Sequence, residues 1–340
     1  MRNIAVIGCG YWGKNLVRNF AELGALHTIC DTSLQVLSRF EALYPDANRQ
    51  TSFESVLTND EIKGVVISAP ASLNYSIAKQ ALLAGKDVFV EKPLALKVEE
   101  GKETVQLAEE KGRVLLVGHI LEYHPAVVKL KELVDKGELG RIQYIYSSRL
   151  NLGKFCTPEN ILWSFAPHDT SVILLLLGKM PQEVSAHGGY YLHSDIADVA
   201  LTTMKFGHGV SAHIFVSWLY PYKEQRFVVV GDKKMALFDD GSPKDKLFVY
   251  NHQIEWVEGS PIPHPREAEA IKVPLDEPLK IECQDFLHCI ETRQKPRVDG
   301  HKGLQVLEIL SHCQRSLEEE GKVIFLNKED EGYFVHEAVK

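Results

Sequence analysis

The stretch "AVIGCGYWGKNLVRNF", residues 5–20, decides the fold of the first part of the chain. It opens as a short apolar strand, its glycines Gly8, Gly10 and Gly13 have the G-x-G-x-x-G spacing, and a helical pattern follows. In such a strand-turn-helix unit, glycines let the backbone approach a pyrophosphate whose charge is stabilised by the helix N-terminus. Taken alone, the glycine spacing is equally compatible with an ordinary tight turn.

Asp31 makes the interpretation more specific. The next strand-like run, "LHTIC" at 26–30, ends directly before it. In dinucleotide-binding folds, a carboxylate at this point accepts hydrogen bonds from the ribose hydroxyls, and its charge would repel a 2′-phosphate. The sequence therefore predicts a cofactor site for NAD rather than NADP.

The alternation of element types predicts two domains. Up to about residue 120, short β-type runs alternate with amphipathic helical stretches, which is typical of a parallel sheet covered on both faces. Beyond the helical stretch "HPAVVKLKELVDKGELG", residues 124–140, period-two patterns take over, as in "VSAHIFVSW" at 210–218. Further strand-like runs lie at about 182–191, 197–206, 225–230, 246–250 and 253–257.

The predicted fold class is therefore α/β. We expect an N-terminal Rossmann domain, residues 1–121, and a C-terminal α+β domain, residues 122–340, with an open, mostly antiparallel sheet. The proline-rich segment "GSPIPHPREAEAIKVPLDEP", residues 259–278, predicts an irregular surface connection. Two helical stretches, near 279–293 and 303–319, follow it.

Composition narrows the function classes. The chain has 340 residues and a net charge of -8, which disfavours nucleic acid or an anionic membrane as a partner and favours a small molecule. The apolar run "VILLLLG" at 172–178 is far shorter than the ~20 residues of a membrane-spanning helix. The N-terminus enters a strand pattern without a secretory signal, so we expect a cytoplasmic protein. The six cysteines lack zinc-site spacing, which predicts free thiols and no metal site.

A lysine follows a second buried-looking strand in "ALLAGKDVFVEKPLAL", residues 81–96. Lys92 would lie at the carboxyl end of that strand, where ligands bind in open α/β sheets. Desolvation and the positive charge of a bound nicotinamide would lower its pKa and let it act as a base. Without that context, a solvated surface charge is the more common role of a lysine.

Five stretches together carry a family resemblance. They are "IAVIGCGYWGKN", "SAPASLNYSIAKQALLAGKDVFVEKPLAL", "HPAVVKLKELVDKGELGRIQYI", "PHDTSVILLLLG" and "CQDFLHCIETRQKPRVDGHKGLQVLEIL". In combination they make the chain resemble the Gfo/Idh/MocA family of sugar and cyclitol dehydrogenases over nearly its whole length. The resemblance implies a Rossmann domain, a second domain with an open mixed sheet, and NAD as cofactor. It also implies a homodimer or homotetramer formed through the exposed sheet face.

The same resemblance assigns the catalytic and cofactor residues. The lysine of the family's EKP motif falls on Lys92, and its catalytic histidine falls on His168. Many members carry an aspartate four positions before that histidine, where this chain has Ser164, so the base role shifts to Lys92 or His168. The implied cofactor contacts are Gly8, Gly10, Tyr11, Trp12, Gly13, Asp31, Ala69, Pro70, Asn74, Glu91 and Lys92.

The strings "ILWSFAPHDTS" and "SWLYPYKEQRFVVVG" resemble a branch acting on nucleotide sugars. The branch implies oxidation of the C3 hydroxyl of UDP-N-acetylglucosamine to a ketone, which an aminotransferase then uses in polysaccharide or lipid A amino-sugar synthesis. The expected substrate contacts are His119, Glu122, Tyr123, Arg149, Lys154, Trp163, Ser164, His168 and Arg226. Each cation alone is more often a solvated charge, and Trp163 fits a sugar-stacking or a core role equally well.

Two other functions remain open at this stage. One is an NAD-dependent dehydrogenase of a free cyclitol or aldose, because one fold serves many substrates. The other is a non-catalytic NAD-binding sensor, which the serine at position 164 keeps open and the presence of both Lys92 and His168 disfavours.

Overall fold

The computed structural model describes residues 2–153 and 159–326. The chain forms two compact units. The first runs to His124 and also contains Asp276–Glu308, and the second contains Pro125–Leu275 and the chain from Ile309 on. The division differs from the predicted boundary at residue 121 mainly because Asp276–Glu308 returns to the first unit.

The first unit contains a six-stranded parallel sheet in the order β3-β2-β1-β4-β5-β6. Its strands are β1 Ile4–Ile7, β2 Leu26–Cys30, β3 Asn48–Gln50, β4 Gly64–Ile67, β5 Asp87–Glu91 and β6 Leu115–Gly118. Its helices are α1 Gly13–Glu22, α2 Leu34–Glu41, α3 Phe53–Leu57, α4 Ala71–Leu83, α5 Val98–Glu110 and α8 Pro278–Thr292, with the start of α9 Gly300–Glu318. All residues of β1 and β4 are buried, as expected for strands covered on both faces.

Helix α8 explains why the first unit is discontinuous in sequence. The ring of Phe286 lies 5.8 Å from that of Phe89 in β5 and 6.5 Å from that of Phe20 in α1. Its other buried positions include Leu279 and Cys283, at helical spacing from Phe286. Hydrophobic contact with the Rossmann core, which sequence order does not reveal, therefore places this helix in the first unit.

The second unit contains a nine-stranded mixed sheet in the order β16-β13-β12-β11-β7-β10-β9-β8-β17. Its helices are α6 Pro125–Asp135, α7 Ile161–Leu177 and the end of α9. Its strands are β7 Ile142–Leu150, β8 Glu183–Gly189, β9 Val199–Lys205, β10 Ser211–Ser217, β11 Glu224–Gly231, β12 Met235–Asp239, β13 Leu247–Tyr250, β16 Ala268–Ile271 and β17 Ile324–Phe325. Among the described strands of this second sheet, only β7 and β10 pair in parallel, so the prediction of a mostly antiparallel sheet is confirmed.

Strand β10 shows the predicted alternation. Ala212, Ile214 and Val216 are buried, whereas His213 and Phe215 on the other face are half-buried. This side of the sheet carries further partly exposed apolar residues, including Leu201 in β9. The sheet thus has one face covered by its own unit and one face that is more open.

The prediction of an irregular proline-rich connection was wrong in part. A separate two-stranded sheet forms from β14 Gln253–Val257 and β15 Ser260–His264, and β16 follows within the same segment. Pro261 and Pro263 lie two residues apart, so the backbone positions at which they lack an N–H are on the same side of β15. No other described strand bonds to this ribbon, so the missing donors cost it no hydrogen bond to a further strand. Prolines at such edge positions are compatible with a strand.

Within the described ranges, no helix combines the length and the apolar character that crossing a bilayer requires.

Candidate functional site

The turn between β1 and α1 requires glycine at two positions. Gly8 has a φ of +80°, and a Cβ on it would lie 2.6 Å from the carbonyl oxygen of Ser68. A Cβ on Gly13 would lie 2.0 Å from the carbonyl oxygen of Gly8. Both distances are below any real carbon contact, so these glycines fix the close packing of turn, helix and sheet.

Gly10 has the opposite environment. A Cβ built on it would meet no atom within 4 Å, so space is open beside this backbone. No side chain caps the N-terminus of α1, where Trp12 is the N-cap residue. Tyr11 is exposed, and the turn presents open backbone to solvent. This cradle fits a pyrophosphate, which needs close backbone approach and a helix N-terminus free of a side-chain cap.

Asp31 is fixed by the backbone of the same turn. Its Oδ2 accepts a hydrogen bond from the N–H of Cys9 at 2.8 Å, and its Oδ1 accepts one from the N–H of Ser33 at 2.9 Å. Each carboxylate oxygen has further acceptor capacity, so the group is oriented and still able to accept ribose hydroxyls. The arrangement fits the adenosine ribose of NAD.

The loop after β4 completes this edge of the sheet. The backbone N of Ala69 lies 2.9 Å from the Cβ position of Gly8, and Pro70 is the N-cap of α4. Asn74 is buried, and its Nδ2 donates to the carbonyl oxygens of Glu91 at 3.0 Å and Pro93 at 2.7 Å. Asn74 therefore holds the backbone of the EKP segment through Nδ2, while its Oδ1 has no hydrogen-bond partner among the described residues, and the expected cofactor contact stays a prediction.

Glu91 and Lys92 follow at the end of β5, and the Lys92–Pro93 peptide bond is cis. Burial raises the pKa of the Glu91 carboxyl to about 7, against the opposing effects of a hydrogen bond from the indole N–H of Trp12 and of the neighbouring Lys92 charge. Glu91 thus changes its charge near neutral pH, directly beside the predicted base.

His119 lies directly after β6 at the same sheet edge and is 1% exposed. Burial, followed by the positive charges of Lys92 and Lys302, lowers its pKa to about 3. The imidazole is therefore neutral at physiological pH. Its Nδ1 is buried without a hydrogen-bond partner among the described residues, so this nitrogen remains able to accept or donate one hydrogen bond.

Glu122 and Tyr123 are less available than the sequence suggested. Both side chains are almost fully buried in the 3-10 turn Ile120–Tyr123. Lys302 donates to Oε2 of Glu122 at 3.1 Å, and the hydroxyl of Tyr123 donates to Oδ2 of Asp285 at 2.8 Å. Both groups are thus paired within the first unit, and their expected contact with the substrate stays a prediction.

Glu282 is a buried acid that sequence reasoning missed. Its side chain is fully buried in α8, and neither carboxyl oxygen has a hydrogen-bond partner within the described structure. Burial raises its pKa well above the ordinary value, and the charges of Glu91, Asp285 and Glu122 raise it further. Burial and the neighbouring acids thus favour the protonated form of this carboxyl. Its position four residues before Phe286, on the buried helix face, was the signal in the sequence.

In the second unit, His168 lies on α7. Asn160 caps this helix, since its side chain accepts a hydrogen bond from the N–H of Trp163 at 3.3 Å. Ser164 lies one helical turn before His168, and both are half-buried. Residues at this spacing share a helix face, so Ser164 occupies the place beside the histidine where many family members have the aspartate.

Arg149 lies at the end of β7 and is buried. Its Nε donates to Oδ2 of Asp169 at 2.8 Å, and its Nη2 donates to Oδ1 at 3.2 Å. Asp169 follows His168 on α7, so this ion pair fixes the helix turn that carries the histidine. Nε and Nη2 of the guanidinium are thus paired with a carboxylate, and the expected contact of Arg149 with the substrate stays a prediction.

Two further predicted residues of this unit, Trp163 and Arg226, are also paired. The indole N–H of Trp163 donates to Oε1 of Gln314 at 3.0 Å. Arg226 is about half exposed, and its Nε donates to Oδ2 of Asp239 at 3.0 Å. Lys154 lies outside the described residues.

No metal centre is apparent in the part of the chain that the structure describes: no group of three or more His, Cys, Asp or Glu side chains could hold an ion there. Buried free thiols occur at Cys9, Cys30, Cys283, Cys289 and Cys313.

Comparison with known proteins agrees with this geometry. The family description "Oxidoreductase family, NAD-binding Rossmann fold" matches residues 2–119, and "GFO/IDH/MocA C-terminal domain" matches residues 127–237. A UDP-N-acetylglucosamine 3-dehydrogenase of Acidithiobacillus ferrooxidans is 28% identical over 304 residues, which cover 89% of this chain and 93% of that protein. A scyllo-inositol 2-dehydrogenase (NAD(+)) of Bacillus subtilis is 30% identical over 178 residues, covering 49% and 52%.

The solved structure of the A. ferrooxidans enzyme GnnA superposes with a TM-score of 0.82 at 25% identity, covering 93% of this chain and 97% of that one. The predictions of the family, of an NAD-dependent oxidoreductase and of the two-part α/β fold are therefore confirmed. The chain belongs to the Gfo/Idh/MocA family of oxidoreductases with an NAD-binding Rossmann fold.

Proposed function

We propose that this enzyme oxidises the C3 hydroxyl of UDP-N-acetylglucosamine to a ketone with NAD. The observation that carries the proposal is its similarity to the A. ferrooxidans UDP-N-acetylglucosamine 3-dehydrogenase along 89% of this chain, together with an EKP lysine at the edge of the cofactor cradle. The ketone so formed would be the natural substrate of an aminotransferase.

Lys92 is the proposed base. Bound NAD supplies the hydride acceptor. As the C3–H bond breaks and its electron pair leaves with the hydrogen, the hydroxyl proton passes to the Lys92 amine, and the carbon–oxygen bond becomes a carbonyl. General base catalysis of this kind contributes about 10² to 10⁴ in rate. Asn74 supports the role because it holds the backbone on both sides of Lys92.

His168 and His119 are the proposed orienting groups. His168 lies on a helix turn fixed by the Arg149–Asp169 ion pair, which gives its ring a defined position. With Ser164 beside it in place of a carboxylate, no acid raises its basicity from that position, so we assign His168 to hydrogen bonding with the reacting hydroxyl. His119 is a neutral imidazole suited to the same task on a substrate oxygen.

A substrate panel tests the proposal. Purified protein with NAD is mixed with UDP-N-acetylglucosamine, with UDP-glucose, with free N-acetylglucosamine or with scyllo-inositol, and NADH absorbance and product mass are followed together. We expect NADH formation and a product two mass units lighter only with a UDP-linked sugar, and most rapidly with UDP-N-acetylglucosamine. Oxidation of the free sugar or cyclitol alone would contradict the proposal.

A free cyclitol is the second candidate. The specific observation in its favour is the 30% identity to the B. subtilis scyllo-inositol dehydrogenase, although that similarity spans only 49% of this chain. The panel separates the two candidates, because a cyclitol enzyme would reduce NAD with scyllo-inositol and leave both UDP-sugars unchanged.

We also propose that the protein is a homo-oligomer. The more open sheet face carries Phe215, Tyr146 and the 41% exposed Leu201, and large apolar surfaces of this kind mark interaction sites. Light scattering after size exclusion should give the mass of a dimer or tetramer. Leu201→Lys, on this face, should shift the mass toward the monomer, whereas Lys136→Gln on an exposed loop should leave it unchanged.

A further inference from the structure

A second pocket lies at the amino-terminal edge of the first sheet. Its volume is about 220 Å³, and the end of α5, the start of β6 and the connection from α8 to α9 line it. Strand β5 runs from Asp87 at this edge to Glu91 at the cofactor edge, four steps of about 3.3 Å. The pocket is therefore separate from the glycine cradle by roughly 13 Å of strand.

Basic side chains dominate the charge of this pocket. Its lining includes Arg113, Arg293, Lys295 and His301 on the basic side, and Glu109 and Asp299 on the acidic side. In a chain with a net charge of -8, such a grouping runs against the overall composition. Whether this group of cations attracts an anion depends on whether the nearby carboxylates pair with them.

Both lining carboxylates have partners of their own. The Nε2 of His301 lies 2.8 Å from Oε1 of Glu109. Oδ1 of Asp299 accepts the backbone N–H of Lys302 at 3.0 Å and so caps the start of α9. After His301, Lys295 also contributes to lowering the pKa of the Glu109 carboxyl, so its charge acts on this acid without forming an ion pair.

Arg293 is fixed into the pocket wall. It ends α8 in the left-handed conformation with a φ of +60°, which is uncommon for a residue other than glycine. Its Nη1 lies 2.7 Å from Oδ1 of Asp87, a buried carboxylate that also accepts the N–H of Val114. The ion pair with Asp87 thereby fixes the position of the Arg293 guanidinium and partly neutralises its charge.

Arg113 and Lys295 are less tightly paired. Neither has a carboxylate within ion-pair distance among the described residues, although the charge of Lys295 acts on Glu109. The buried Nε of Arg113 lacks a hydrogen-bond partner among the described residues. Buried donors in folded proteins are almost always bonded. A guanidinium pairs well with phosphate oxygens in a two-bond geometry, and a lysine adds a point charge.

We propose that this pocket is a second ligand site that binds a small phosphate-bearing anion through Arg113 and Lys295. Its volume is below the roughly 300 to 1,000 Å³ of sites for drug-sized ligands, which favours one or two phosphate groups with little attached. The site is independent of the proposed sugar substrate.

Calorimetric titration of the full-length protein with inorganic pyrophosphate tests this inference. Saturating NAD is present throughout, so that the glycine cradle is already filled. We expect one saturable pyrophosphate site in the wild-type protein and at least about tenfold weaker binding in Arg113→Gln/Lys295→Gln, a loss of about 1.4 kcal/mol. Lys136→Gln/Arg266→Gln removes the same two charges from exposed positions of the second unit and should bind like wild type.

Lys295→Glu is the second variant, because this exposed residue can be changed without disturbing the core, and it should also weaken binding. Unchanged NAD affinity shows that each variant has a folded first unit. The inference is overturned if NAD-saturated wild type shows no saturable binding, or if Lys295→Glu binds as tightly as wild type. It is overturned as well if the control pair loses as much affinity as the pocket pair, since the effect would then be one of overall charge.

Discussion

The cofactor edge of the first unit and the α7 region of the second unit hold their candidate residues in different ways. At the cofactor edge, Gly8, Gly13 and Asp31 are positioned by the backbone, and open space remains beside Gly10. In the α7 region, Arg149 is positioned by pairing with another side chain. A site built from backbone leaves its N–H groups available to a ligand. A side chain that is paired within its own unit has fewer hydrogen-bonding positions available to one.

The largest expected effect is on chemistry rather than on cofactor binding. Lys92→Met should lower turnover by about 10² to 10⁴, because the base is removed, while the Kd for NAD changes little since the backbone cradle is intact. Steady-state rates and NAD titration measure the two quantities. Lys97→Met, at a neighbouring exposed lysine, is the matched control and should leave both unchanged. Near-normal turnover in Lys92→Met would contradict the assignment of Lys92 as the base.

The next effect tests how much the ion pair between Arg149 and Asp169 stabilises the second unit. Arg149→Met should lower the free energy of unfolding by about 3 to 5 kcal/mol, because it leaves the carboxylate of Asp169 buried without its partner. Arg226→Met, at a half-exposed ion pair, should cost less than about 1 kcal/mol. Denaturant unfolding measures both. Equal small losses would mean that Arg149 is free for a ligand after all.

A smaller effect tests the open backbone of the first unit. Gly10→Ala puts a methyl group where the pyrophosphate is expected, and it should raise the Kd for NAD about tenfold or more, or about 1.4 kcal/mol, with no change in melting temperature. Gly207→Ala, at another glycine with an open Cβ position, is the control for the substitution itself. If both variants bind NAD like wild type, the cradle lies elsewhere.

The smallest effect is a pH dependence. The pKa of Glu91 is about 7, so the group is mostly ionised at pH 8 and mostly protonated at pH 6. The carboxylate favours the cationic nicotinamide and accepts hydrogen bonds, so the affinity for NAD should fall by up to about tenfold from pH 8 to pH 6. Glu91→Gln should remove this dependence. A profile that is the same in both proteins would assign the titration to another group.

The same contrast explains what could be predicted from sequence. The turn at Gly8, Gly10 and Gly13, the role of Asp31 and the alternation in β10 depend on local spacing, and the sequence contains that spacing. The place of α8 in the first unit depends on Phe286 meeting Phe20 and Phe89, which are distant in sequence. Predicting the hairpin that contains Pro261 and Pro263 would have required knowing that, among the described strands, only β14 bonds to β15.

Side-chain roles were predictable only in part for the same physical reason. The need for a cation suggested Arg149, and the family resemblance suggested Glu122. Neither signal shows that Arg149 pairs with Asp169 or that Glu122 pairs with Lys302. Glu282 was missed because an acid on a helix is ordinarily solvated, and its burial follows from the packing of α8. The residue type determines which hydrogen bonds and charges a side chain can offer. Its tertiary contacts determine how many of them remain for a ligand.

The most direct test of the proposed reaction is transfer of a labelled hydrogen. UDP-N-acetylglucosamine carrying deuterium at C3 is incubated with the enzyme and NAD, and the reduced cofactor is analysed by mass spectrometry. We expect the cofactor to gain one deuterium and the sugar to lose it, because oxidation at C3 moves that hydrogen as hydride. Reduced cofactor without deuterium, from a sugar that keeps its label, would contradict oxidation at C3.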